Sequence, residues 1–225
     1  MSKALRSCLI WGLLVGSTGP AMARHAAKME GKPDLKITLR VYDYAGLESK
    51  LLSRALDEAK MIVADAGVVV ARVICTQDDS AAGCKQAPDA LNIALRIVPK
   101  PVPGNDYGTL GYAAGQYITA NYSRVNELAD RSGVVLDRIL GCVMAHELGH
   151  VLLGPNSHSA TGIMAARLTE KELGQVRALF IGFLPFQKER IRAYVLSQTR
   201  NLEASVVIAT QSRRKPDQAD RAGRM

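Results

Sequence analysis

The chain has 225 residues, 48% of them hydrophobic with few aromatics, which is enough for one ordinary domain with a real core and leaves no convincing second domain. Its formal net charge of +8 does not argue for nucleic acid. Arg213, Arg214, Lys215, Arg221 and Arg224 outweigh Asp217 and Asp220 in a C-terminal tail of the kind that is ordinarily solvated.

At the N-terminus, Lys3 and Arg6 precede an apolar run from Cys8 to Val15, and Ala21, Met22 and Ala23 form a small-x-small site. This is the layout of a cleavable export signal, too short to span a bilayer, where about 20 apolar residues are needed. Residues 1–23 are therefore expected to be removed, which takes the charge from +8 to +6 by loss of Lys3 and Arg6, and no transmembrane segment is expected in the mature chain. Residues 24–33 read as a loose lead-in, 34–202 as the domain, and 203–225 as a basic, disordered tail. The expected destination is the periplasm or the cell exterior. In such an oxidising compartment Cys75 and Cys84, which bracket the polar stretch TQDDSAAG, are expected to pair as a disulfide, and nucleic acid drops out as a partner. Cys142 reads as a small buried thiol on a core helix.

Within the domain, Ile37, Leu39 and Val41 alternate with Lys36, Thr38 and Arg40, the period of a half-buried strand. Leu47, Leu51, Leu52, Ala55, Leu56, Ala59, Ile62, Val63 and Ala66 recur at helical spacing, and Gly67 ends that helix. Val68 to Ile74 is a β-branched second strand, and strand, helix and strand joined by short turns predict a parallel pair. Leu91, Ile93, Leu95 and Ile97 alternate as a third strand, halted by Pro99, Pro101 and Pro103. Two short strands follow, Leu110 to Ala114 and Tyr117 to Tyr122, divided by Gly115. After Gly133 a helix is predicted from about Val134 to Leu153, with Leu136, Ile139, Leu140, Val143, Met144 and Leu148 as its apolar stripe. Thr169 and Glu172 form a capping box that opens another helix. Phe180, Phe183 and Phe186 are expected to make a hydrophobic junction under the sheet, and an amphipathic helix from Gln187 to about Thr199 closes the domain.

The chemistry concentrates in HELGHVLLGPNSHSATGIM, from His146 to Met164, which holds three of the chain's four histidines. A four-residue helical step advances about 400°, so His146 and His150 return to one face one turn apart and can grip one metal ion. Glu147 lies about 100° round from His146, able to reach a water at that metal. A catalytic Zn²⁺ takes three protein ligands and leaves a fourth position for water, whose pKa falls to about 7. A third ligand is therefore required. Gly154, in a left-handed conformation, and Pro155 should stop the helix, and His158 lies just past that corner, well within reach at about 3.3 Å of chain per residue.

This stretch resembles the metzincin zinc metallopeptidases, whose pattern is an HExxH helix, a glycine turn, a third histidine and a downstream methionine turn. The resemblance implies an α+β fold, a mixed twisted sheet with an antiparallel edge strand, an active-site helix and C-terminal helices. It also implies that His146, His150 and His158 are ligands of one Zn²⁺, Glu147 the general base, Gly154 the turn and Met164 the methionine beneath the metal. The spacing departs from the family pattern: HExxHxxxGxxxH stands in place of HExxHxxGxxH. GTLGYAAG matches the edge strand that borders the cleft in metzincins. A peptide or protein substrate is accordingly expected to bind along Leu110 to Ala114 by main-chain hydrogen bonds. Two other readings stay open at this stage. One is a zinc peptidase of gluzincin type, with Glu170 or Glu172 as the third ligand. The other is a secreted zinc-binding or interaction domain of the same fold without turnover.

Overall fold

The computed structural model describes residues 35–76, 83–101 and 109–213, so the expected export signal, the lead-in and residues 214–225 of the tail lie outside the described residues. The elements run β1 (Lys36–Asp43), α1 (Ser49–Ala64), β2 (Val69–Cys75), β3 (Asn92–Val98), β4 (Gly111–Ala114), β5 (Tyr117–Asn121), α2 (Tyr122–Ser132), α3 (Leu136–Leu153), α4 (Glu170–Arg177) and α5 (Pro185–Arg213). The sheet order is β2-β1-β3-β5-β4. β1 is parallel to β2 and β3, β3 is parallel to β5, and β4 alone is antiparallel, at the edge. This is the α+β architecture expected of the chain, with a mixed sheet, an antiparallel edge strand, a histidine-bearing helix and C-terminal helices. No helix among the described residues is long and apolar enough to cross a membrane.

Strand alternation points Ile37, Leu39 and Val41 of β1, Ile93, Leu95 and Ile97 of β3, and Ile118 of β5 to one face, where all are buried. Against them pack α1, through Leu52, Ala55, Leu56, Ile62 and Val63, and α3, through Ile139, Leu140, Val143, Met144 and Leu148. The two helices approach closely because Gly141 of α3 has no side chain. A Cβ there would lie 2.6 Å from the Ala55 carbonyl oxygen. At the start of α3, Asp137 is buried and paired with Arg54 of α1.

Beside that crossing sits Glu58, only 8% exposed. Burial, with Asp137 adding to it and Arg138 opposing, holds its carboxyl above the usual range. The fold thus favours the protonated form, so stability is lost as pH rises from the ordinary glutamate pKa through the raised one. Glu58→Gln is expected to melt higher than wild type at pH 7, and the gain should vanish below about pH 4, where both states carry the proton. Melting temperature across that range is the check. Cys142, 1% exposed, has its thiol pKa pushed up mainly by burial and then by Glu58, and it remains a free buried thiol.

The opposite face of β1 departs from expectation. Half-buried alternation would leave Arg40 outward, yet it is 1% exposed. β1 is an interior parallel strand, and the segment after β2 folds back over it. Arg40 Nη1 donates to the carbonyl oxygens of Gly83 at 3.3 Å, Cys84 at 3.5 Å and Gln86, and the Tyr42 hydroxyl donates to the Cys84 carbonyl at 2.8 Å. The disulfide between Cys75 and Cys84, Cα atoms 5.8 Å apart, closes the same segment onto the end of β2.

Three further differences follow from local chemistry. Tyr122 opens α2 rather than ending β5. That helix has only Val125 and Ala129 buried, an apolar stripe too thin to read, and Gly133 closes it at φ 65°. α5 extends through Arg213, so positions 203–213 of the expected tail are helical, with neither glycine nor proline before Pro216 to stop them. Of the three phenylalanines, only Phe183 is buried, whereas Phe180 is 83% and Phe186 51% exposed. Leu179, at φ 59°, turns the chain at the end of α4 and leaves Phe180 outside.

Candidate metal centre

α3 brings His146 and His150 onto one face as their spacing requires, with Nε2 atoms 3.1 Å apart. The chain then leaves the helix at Gly154, whose N–H donates to the His150 carbonyl at 3.0 Å. Gly154 adopts φ 92° and ψ 171°, not the left-handed cap expected of it. The positive φ still demands glycine, but the extended ψ throws the chain outward into a turn through Pro155 and Asn156, itself at φ 58°. This wider corner accommodates the longer spacing and returns His158, whose Nε2 lies 3.1 Å from that of His150. All three ligand atoms fall within 4.8 Å of one another, and among the described residues this is the single such cluster of histidine, cysteine, aspartate or glutamate side chains.

The outer ring nitrogens are tied down. His146 Nδ1 lies 2.7 Å from the Ile163 carbonyl oxygen, which can only accept, so the proton is on Nδ1 and the Nε2 lone pair is free. His150 Nδ1 lies 3.1 Å from Ser157 Oγ. Burial lowers the pKa of His146. For His150, burial and the neighbouring imidazoles bring it down to about 4. The His146 and His150 rings are thus held neutral, the form that ligates metal. Two Nε2 lone pairs at 3.1 Å repel unless a proton or a cation lies between them. Tetrahedral Zn²⁺ with Zn–N bonds of about 2.0–2.1 Å sets its ligand nitrogens about 3.3 Å apart, close to the 3.1 Å between His150 Nε2 and each of the other two. The donor set therefore fits zinc.

Glu147 sits on the same helix, 6% exposed, with its pKa pushed up to about 8 by burial. Its carboxylate approaches the first residue of the edge strand. A Cβ on Gly111 would lie 2.9 Å from Glu147 Oε1 and 2.7 Å from the Thr119 carbonyl oxygen. The Asn121 N–H donates to the Leu110 carbonyl at 2.8 Å, so by antiparallel alternation residues 110, 112 and 114 pair with β5. The N–H and C=O groups of Gly111 and Ala113 consequently point away from the sheet, on an edge with no strand partner among the described residues.

Met164 is wholly buried beneath α3, opposite Gly149. A Cβ on Gly149 would overlap Met164 Sδ and lie 2.9 Å from Phe183 Cε1. Gly149→Ala is expected to cost about 1–3 kcal/mol through overpacking, read as a lower midpoint in urea at unchanged slope. Glu172 is engaged elsewhere, accepting from the Thr169 N–H at 3.3 Å and from its hydroxyl to cap α4, and Glu170 is exposed; neither joins the histidine cluster.

Several contributors were not foreseen from the sequence: Ser157, the Ile163 carbonyl and Gly111. Ser157 stands beside His158, and adjacency to a predicted ligand was its only signal. A backbone carbonyl carries none.

No family model matches the chain, and no curated protein matches its sequence. Among solved structures, it is similar to the crystal structure of archaemetzincin from Methanopyrus kandleri, at 16% identity and a TM-score of 0.47, over 73% of this chain and 98% of that one.

Proposed function

We propose that the chain is an exported zinc-dependent endopeptidase of metzincin type, with His146, His150 and His158 as ligands of one Zn²⁺ and Glu147 as general base. The observation that carries the reading is the convergence of three Nε2 atoms within 4.8 Å beside a buried carboxyl and an unpaired strand edge. Zinc bound there supplies a Lewis acid that polarises the scissile carbonyl and makes a nearby water acidic at neutral pH.

The rest is done by the chain's own groups. An extended peptide adds to β4, its main chain meeting the outward N–H and C=O groups of Gly111 and Ala113. This lays the scissile bond across α3, next to Glu147, with the Gly111 hydrogen leaving room for the carboxylate. Glu147 accepts a proton from the attacking water and delivers it to the leaving amine. Its burial makes it a stronger base than an exposed glutamate, and a divalent cation held by the histidines would favour its ionised form. Ile163 and Ser157 hold the outer nitrogens of His146 and His150, so those rings do not swing as charge develops.

Digestion of casein or a peptide library with and without a chelator tests the reading. Cleavage that stops with the chelator and returns with added zinc is expected. Zinc retention without cleavage would make the chain a binding domain instead.

A further inference from the structure

We infer that Gln187 is a positioning residue for the three-histidine centre, acting through Ser159 and the turn that Ser159 closes. The inference rests on the metal reading of that centre and adds to it a residue on another helix that touches none of the three rings.

All three imidazoles depend on one short stretch, 157–165. Ser157 meets His150 Nδ1, His158 belongs to the stretch, and the Ile163 carbonyl takes the Nδ1 proton of His146. The stretch has no helix or strand of its own. Internally it is closed by the Ser159 N–H donating to the Met164 carbonyl at 2.9 Å and by Ser159 Oγ donating to the Thr161 carbonyl at 2.8 Å. From outside it is pinned by the chain at 182–187. The Ile163 N–H donates to the Gly182 carbonyl at 2.9 Å, and Gln187 Nε2 donates to Ser159 Oγ at 3.3 Å.

Gln187 is 1% exposed, and a buried amide is costly unless both its ends are bonded. Its Oε1 accepts the Leu184 N–H at 2.9 Å, which fixes the amide orientation and leaves the NH₂ group facing Ser159. One end thus caps the first turn of α5, while the other reaches off the helix to the residue that adjoins His158. His158 is the exposed member of the trio, so packing does little to aim its ring and the backbone it stands on must. Ser159 is where that backbone is tied. Cutting the tie should let the third ligand drift and loosen the turn that carries the Ile163 carbonyl.

The test is zinc affinity, by competition with a chromophoric chelator, of wild type, Gln187→Leu, Ser159→Ala and the double variant. The Co²⁺-loaded absorption spectrum and the melting temperature of metal-free protein are recorded beside it. Each single variant is expected to raise the zinc Kd about 10- to 100-fold and to shift the Co²⁺ spectrum, the double variant doing no more than Ser159→Ala alone. Wild-type zinc affinity in folded Gln187→Leu, or losses that multiply in the double variant, would overturn the inference while leaving the metal reading intact. Should Gln187→Leu not fold, Gln187→Met, which keeps the unbranched shape and removes the amide, decides in its place. A wild type that binds no zinc would overturn the metal reading and this inference together.

Discussion

Glu147→Gln is expected to bind zinc as tightly as wild type and to lose about 10²- to 10⁴-fold in kcat/KM on peptide substrates. The amide has the shape of the carboxylate, so it can lie against Gly111 as Glu147 does. It cannot take a proton. The outer nitrogens of His146 and His150 bond Ile163 and Ser157 rather than Glu147, so the substitution leaves the rings' anchoring untouched. Zinc content and turnover measured on one preparation separate the two roles. Peptidase activity near wild type would exclude Glu147 as the base, and loss of zinc would mean that the carboxylate helps hold the metal.

His158→Ala should act on the other quantity. Removing one of three ligands is expected to weaken zinc binding by more than about 100-fold, beyond the loss from disturbing a residue that merely supports a ligand. The fold should survive, since His158 is exposed and contributes nothing to the core formed by α1, α3 and the sheet. Chelator competition gives the affinity, and the far-ultraviolet circular dichroism spectrum checks the fold. Zinc binding unchanged from wild type would send the search for a third ligand elsewhere in the chain.

The parts of the site legible in the sequence are those that a periodicity encodes. His146 and His150 had to share a helix face, and the alternation of Ile93, Leu95 and Ile97 had to bury one side of β3. What escaped reading depends on groups distant in sequence. Arg40 falls on an outward position of its strand, and its burial follows only from the return of residues 83–86 over β1. Gly111 reads as one residue of the edge strand until its approach to Glu147 is seen. Gln187 lies in the first turn of an amphipathic helix, and nothing local marks it as the partner of Ser159. The longer spacing between His150 and His158 was legible as a departure, but its accommodation depends on the φ and ψ of Gly154, which the residue's identity does not specify.

Metal content of the purified protein, measured by elemental analysis after dialysis against metal-free buffer with and without prior chelation, bears on the whole account most directly. One zinc per chain, stripped by the chelator and restored by stoichiometric addition, is the predicted result. A chain that takes up no stoichiometric zinc while its helices and sheet are intact would contradict it.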